Sequence, residues 1–174
     1  MSERVVKMID EEDIDERIAE IAGKINEEFE GESVFIVCVL RGAVFFATEL
    51  AKRITVPVKI DFIQASSYGS STVSSGDIKI VKDIEMSVKG ENVIIVEDVI
   101  DTGYTLAKLK EIFSHRHTKC VKLCSLLDKP DRREMEVDMD YIGFSIPDKF
   151  VVGYGLDYDQ KYRNLPYIGI VEFD

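Results

Sequence analysis

Residues 93–106 read VIIVEDVIDTGYTL. Four apolar residues, the adjacent acids Glu97 and Asp98, two more apolar residues and then Asp101-Thr102-Gly103-Tyr104-Thr105 describe a buried strand that ends in carboxylates and turns at once into a helix. Gly103 marks the bend, with Thr102 and Thr105 beside it. A helix N-terminus of this kind offers convergent backbone N–H groups, hydroxyls and the positive end of a dipole, which together suit a monophosphate. Asp and Thr at a helix start are also ordinary capping residues. Capping leaves Glu97-Asp98 unexplained, because carboxylates closing a buried parallel strand are costly unless solvent, a metal or a sugar hydroxyl meets them.

The same order of strand, loop and helix recurs upstream. Val34 to Val39 reads as a buried strand, Leu40-Arg41-Gly42 as a turn, and Ala43 to Ile54 as a helix stopped before Pro57. Before them, Ile14, Ile18, Ile21, Ile25 and Phe29 recur at steps of three and four between Asp10 and Gly31, an amphipathic helix with a solvated acidic face. Val58 to Ile63 and Ile78 to Val81 alternate as strands do. After the helix Thr105 to Ser114 come strands at Cys120 to Leu127, Tyr141 to Phe144, Phe150 to Val152 and Tyr167 to Glu172. Ser66 to Gly76, SSYGSSTVSSG, holds six serines and two glycines in eleven residues and has little apolar surface to pack. It reads as a flexible hairpin connection or a mobile lid, composition favouring the first. Strands alternating with helices predict an α/β fold whose mainly parallel sheet is covered on both faces and binds ligands at the carboxyl ends of its strands. The loops after Val39, Val96 and Leu127 are therefore the places to look.

Composition bounds the function. At 174 residues, with 45% hydrophobic and 32% charged side chains, the chain reads as one globular domain over residues 1–174, and collagen-like, low-complexity and disordered classes are excluded. Its apolar runs have strand length, so no membrane segment is expected, and the charged start MSERVVKMIDEED does not read as an export signal. Cys38, Cys120 and Cys124 are an odd number without zinc-ligand spacing and read as buried thiols in a reducing compartment, which places the protein in the cytoplasm. The net charge is -11, and residues 1–32 supply -8 of it. An acidic chain repels nucleic acid, so no nucleic-acid partner is expected. Phosphate binding must then rest on backbone N–H groups, a few placed cations or a metal.

Other signatures can be set aside. No G-x-x-x-x-G-K-[ST] or G-x-S-x-G is present, and the one G-x-G, Gly153-Tyr154-Gly155, opens no helix. His115 and His117 close a helix, where imidazolium suits the dipole better than two histidines alone suit a metal.

The stretch 93–106 resembles the phosphoribosyl-pyrophosphate binding motif of the type I phosphoribosyltransferases, and the rest of the chain resembles their hypoxanthine-guanine branch. The likeness runs through LRGA at Leu40 to Ala43, SSYG at Ser66 to Gly69, GDIKI at Gly76 to Ile80 and KFVVGYGLDYDQKYRNLPYIGIV at Lys149 to Val171. It implies the type I phosphoribosyltransferase fold, with helices flanking the sheet, a small C-terminal hood and a flexible lid. The implied activity is transfer of the phosphoribosyl group to hypoxanthine or guanine, with pyrophosphate as the second product. Two Mg²⁺ ions are implied, one bridging the ribose hydroxyls and pyrophosphate, as is a homodimer or homotetramer. A preference for xanthine is the nearest alternative, and a non-catalytic regulator that senses phosphoribosyl pyrophosphate and binds nucleic acid is the other.

The resemblance also distributes roles. Asp101, Thr102, Gly103, Tyr104 and Thr105 would hold the 5′-phosphate, with Tyr104 bulkier than is usual in the family. Glu97 and Asp98 would meet the ribose hydroxyls and a Mg²⁺; because successive strand side chains point to opposite faces, one of the pair would act from behind. Asp101 would also be the general base near purine N7. An exposed aspartate is a weak base at neutral pH, so this role requires a closed site or a transition state that makes the purine more acidic. Leu40-Arg41-Gly42, often with a cis peptide in the family, and Arg163 would bind pyrophosphate. Asp157 would hold the second Mg²⁺. Lys129 would donate to the purine 6-oxo group, Phe150 would stack on the ring, and Val151, with Lys149 and Asp157 nearby, would border its edge. Ser67 and Tyr68 would close over the reaction.

Overall fold

The structure is a computed structural model and describes residues 2–67 and 77–174. Its larger sheet has six strands in the order β4-β3-β2-β5-β6-β7. These are β2 (Val34–Val39), β3 (Val58–Ser67), β4 (Ile78–Lys82), β5 (Asn92–Ile100), β6 (Cys120–Asp128) and β7 (Tyr141–Ser145). All neighbours pair in parallel except β4, which returns antiparallel to β3. The helices α1 (Glu11–Glu28) and α2 (Val44–Arg53) cover one face, and α3 (Tyr104–Ser114) covers the other.

Burial on both faces explains why β2 is apolar throughout rather than alternating. Ile36 and Cys38 face the α1 and α2 side with Ile14, Ile18, Ile21, Ile25, Phe46 and Leu50. Phe35 and Val37 face the α3 side with Ile95, Leu109, Phe113 and Leu123. Each such fully buried side chain contributes about 1.5–3 kcal/mol relative to an exposed one. The α1 stripe of isoleucines is wholly inside, which seats the acidic face of that helix in solvent. Cys38 and Cys124 are buried and Cys120 is half-buried, all as free thiols. Burial first, and then Glu97 and Asp98, pushes the Cys38 thiol up to about 12.

A smaller antiparallel sheet, β1-β9-β8, joins the core on the α1 and α2 side through Val151 and Ile168. It consists of β1 (Glu3–Ile9), β8 (Val151–Val152) and β9 (Ile168–Phe173). This hood is only partly C-terminal, because β1 pairs with β9 from Glu3↔Phe173 to Ile9↔Ile168. The sequence shows no strand there: Glu3, Arg4 and Lys7 break the apolar alternation, and the pairing with β9 shifts register between Lys7 and Ile9, so the half-buried Val5, Met8 and Ile9 do not recur at a strand's period of two. Ser66 and Ser67, assigned by composition to the connection, instead end β3 and pair with Lys79 and Ile78. Tyr68 and the rest of the expected lid, through Gly76, lie outside the described residues. No helix among the described residues is long and apolar enough to cross a membrane.

Candidate active site

The central stretch folds as its pattern requires. Strand β5 ends at Ile100, and Gly103 takes a φ of +94° immediately before α3, a left-handed value that glycine adopts at little cost. The N–H groups of the first helical turn have no partners within the helix and face the loop they close. A cavity of about 270 Å³ lies against them, lined by Asp101, Thr102, Gly103 and Thr105, by Glu97 and Asp98, and by Ser67 and Arg132.

The loop after β6 clasps this cradle. Glu134 N and Met135 N both donate to Thr102 O at 2.9 Å, and Arg133 Nε donates to Asp101 O at 3.1 Å. Arg133 is anchored in turn on the carboxylate of Asp128, at the end of β6. Sequence reasoning assigns no role to Arg132 or Arg133. Pro130 to Arg132 form one 3₁₀ turn, beyond which Arg132 lines the cavity and Arg133 holds the Asp101 carbonyl.

A second cavity, of about 520 Å³, opens between Leu40-Arg41-Gly42, Asp157 and Arg163. Glu97, Asp98 and Thr105 line both cavities, so the two form one cleft. The Leu40-Arg41 peptide is cis. Arg163 Nη1 donates to Gly155 O at 2.7 Å, and its Nη2 lies 3.3 Å from Asp157 Oδ1. Gly155 itself packs on the Gly42 carbonyl, bringing the hood onto the 40–42 turn.

Strand alternation predicts that one of Glu97 and Asp98 faces away, but both reach the cleft. Each carboxylate folds back onto the next N–H, Glu97 Oε1 accepting from Asp98 N at 3.0 Å and Asp98 Oδ1 from Val99 N at 2.7 Å. Burial, then the neighbouring Asp98 and Asp101 charges, hold the Glu97 carboxyl well above the usual carboxylate range. Burial also raises Asp98, although its hydrogen bonds and Arg163 counteract this. Crowded acids at a cleft wall are a site poised for positive charge.

On the other side of the cradle, the largely buried Lys129 places Nζ 3.8 Å from Asp101 Oδ1. That oxygen is buried and, among the described residues, accepts no hydrogen bond. Its neighbour N–H, Lys129 N, donates to Ile100 O at 3.0 Å, which ties the two loops together. Phe150 is 52% exposed and meets Tyr158 edge-on, with ring centroids 5.5 Å apart. Val151 is buried and pairs with Ile170, while Lys149 is exposed. Lys129, Lys149, Phe150, Val151 and Tyr104 line neither cavity among the described residues. Among the described residues no group of three or more His, Cys, Asp or Glu side chains gathers closely enough to hold a metal by itself.

A mainly parallel sheet whose strand β5 brings two adjacent acids to a cleft at the N-terminus of α3, with a separate small antiparallel sheet, matches a known architecture. A family model described as a phosphoribosyl transferase domain matches residues 6–159, and the chain belongs to that family. It is 47% identical over 173 residues to the hypoxanthine phosphoribosyltransferase of Salmonella typhimurium, covering 98% of this chain and 97% of that one. It is 46% identical over 165 residues to the hypoxanthine-guanine phosphoribosyltransferase of Bacillus subtilis, covering 95% and 92%. The crystal structure of a hypoxanthine-guanine phosphoribosyltransferase from Bacillus anthracis superposes with a TM-score of 0.92 at 47% identity, covering 95% of this chain and 97% of that one. The chain also aligns at 48% identity over 165 residues with the bifunctional protein TilS/HprT of Listeria monocytogenes, and there it spans 26% of the relative's length.

Proposed function

We propose that the chain transfers the 5-phosphoribosyl group of phosphoribosyl pyrophosphate to N9 of hypoxanthine or guanine, giving the nucleoside monophosphate and pyrophosphate. The observation that carries this reading is Asp101 Oδ1, a buried carboxylate oxygen that accepts no hydrogen bond among the described residues, held 3.8 Å from Lys129 Nζ beside the 101–105 loop. An orphan acceptor in a cleft is costly and asks for a ligand N–H. Purine N7–H suits it, with Lys129 on the adjoining 6-oxo group.

The remaining roles belong to the same proposal. Backbone N–H groups of residues 102–105 and the Thr102 and Thr105 hydroxyls bind the 5′-phosphate, so the bulk of Tyr104 does not enter the contact. The 40–42 turn and Arg163 hold pyrophosphate, a task for which a planar bidentate donor is suited. As the bond at ribose C1 breaks, positive charge grows on the sugar and faces Glu97, Asp98 and Asp101. Asp101 accepts the purine proton. Phe150 offers its exposed ring to the base and Val151 its backbone, with Lys149 at the rim; Ser67, with Tyr68 in the proposed lid, excludes water that would capture the sugar cation.

Oxygen donors that are few and carboxylate-rich fit Mg²⁺, which takes one or two carboxylates and completes its shell with substrate phosphate and water. Glu97, Asp98 and Asp157 would hold two such ions, which when bound neutralise the diphosphate and polarise its leaving oxygen. This supplies the positive field that a chain of net charge -11 lacks. The proposal includes action as one domain in the cytoplasm, as a homodimer or homotetramer, with no nucleic-acid partner. The test is incubation with phosphoribosyl pyrophosphate, Mg²⁺ and each of hypoxanthine, guanine and xanthine: the first two should yield monophosphate. Product from xanthine alone would favour the other specificity, and retention of nucleic acid without turnover would favour a regulator.

A further inference from the structure

The hood carries a tight turn whose sequence does not suit its backbone. Tyr158 N donates to Lys161 O at 3.0 Å and Lys161 N to Tyr158 O at 2.9 Å, leaving Asp159 and Gln160 as a two-residue hairpin loop. Both have positive φ, 50° and 62°. Such a turn normally takes Asn or Asp followed by Gly. Asp159 fits the first position. Gln160 occupies the glycine position, where a long side chain is disfavoured and needs a reason.

The side chain supplies one. Gln160 Oε1 accepts a hydrogen bond from Arg41 Nη1 at 3.2 Å and another from Arg163 Nη2 at 3.1 Å. Its main-chain N–H is fixed as well, donating to Asp157 Oδ2 at 2.9 Å. One neutral oxygen therefore draws together two guanidinium groups, one from the 40–42 turn and one from the hood, beside the larger cavity. Because an amide carries no charge, it orients both cations without neutralising either. Arg163 also donates from Nη1 to Gly155 O and lies 3.3 Å from Asp157 Oδ1 through Nη2, and the further N–H groups of the two guanidiniums remain for an anion.

We propose that Gln160 is a positioning residue for the diphosphate subsite, holding Arg41 and Arg163 at a spacing that receives both ends of a pyrophosphate group; this rests on the function proposed above. A role confined to the turn and a role in binding predict opposite results for Gln160→Gly. Glycine suits the backbone, so the variant should melt at or above the wild-type temperature. Pyrophosphate Kd by titration calorimetry with Mg²⁺, and KM for phosphoribosyl pyrophosphate, should nevertheless rise about five- to tenfold, with a smaller change in kcat. Gln160→Glu keeps the acceptor but quenches the cations, and should weaken pyrophosphate further than the glycine variant does. Wild-type Kd and KM in Gln160→Gly, tighter binding in Gln160→Glu, or a lower melting temperature in Gln160→Gly would each overturn the inference alone. A wild-type protein that neither binds pyrophosphate nor makes nucleotide would overturn the functional reading and this inference together.

Discussion

A Cβ built on Gly42 would stand 1.7 Å from Asp98 Oδ2. Residues 42 and 98 thus share one space, and the β2–α2 turn can approach the acids of β5 only because residue 42 has no side chain. Gly42→Ala must displace either the turn or the carboxylate. A displacement of that size costs about a hundredfold in kcat/KM. Steady-state assays should show this loss, and adding Asp98→Ala should restore melting temperature but not activity. Full activity in Gly42→Ala would show that the turn has freedom the structure does not indicate.

Asp101→Asn keeps the size of the side chain and removes its basicity. Turnover should fall by about 10²–10⁴-fold while phosphoribosyl pyrophosphate binding is nearly retained. Rapid-quench turnover and equilibrium binding on the same preparation check the split. Equal turnover would remove Asp101 from the base role.

Glu97 is held well above the usual carboxylate range by burial and by the charges of Asp98 and Asp101. Replacing it by the isosteric amide relieves that crowding and keeps the oxygen that accepts from Asp98 N. Glu97→Gln should therefore gain about 1 kcal/mol of stability without ligand and lose affinity for phosphoribosyl pyrophosphate. Calorimetry of the ligand-free protein tests the first part, and a lower melting temperature would contradict it.

Asp61 behaves in the opposite sense. Burial would raise its carboxyl, but N–H donors from Met86, Phe62 and Glu85, at 2.8–2.9 Å, hold it below its ordinary value of 3.8. Between its folded value and 3.8 the unfolded chain binds more protons, so this contribution is complete above 3.8 and disappears as pH falls through the folded value. Asp61→Asn should cost about 1–3 kcal/mol at pH 7 and flatten the acid limb of the stability curve. Urea unfolding between pH 2.5 and 7, a range of about four to five units around that of an ordinary aspartate, checks both; an unchanged acid limb would refute the assignment.

What the sequence made legible is what packing writes locally. The buried strands β2, β5 and β6 and the isoleucine stripe of α1 were readable because two-sided burial and a helical period each leave a continuous trace. The 101–105 cradle was readable because its glycine, hydroxyls and helix start are consecutive. Strand β1 was not, since charged residues interrupt its half-buried positions and its register shifts between Lys7 and Ile9. Nor were the contacts between Gly42 and Asp98, Arg133 and Asp128, or Gln160 and its two arginines. Most of these join segments far apart in sequence; even the near pairs depend on a turn whose shape the residues do not announce.

The most direct test is a crystal structure with a purine nucleoside monophosphate and Mg²⁺. The account predicts the phosphate on the N–H groups of residues 102–105, the ribose against Glu97 and Asp98, and the base between Phe150 and Lys129 with N7 at Asp101. A nucleotide bound elsewhere, with the 101–105 cradle left to solvent, would contradict it.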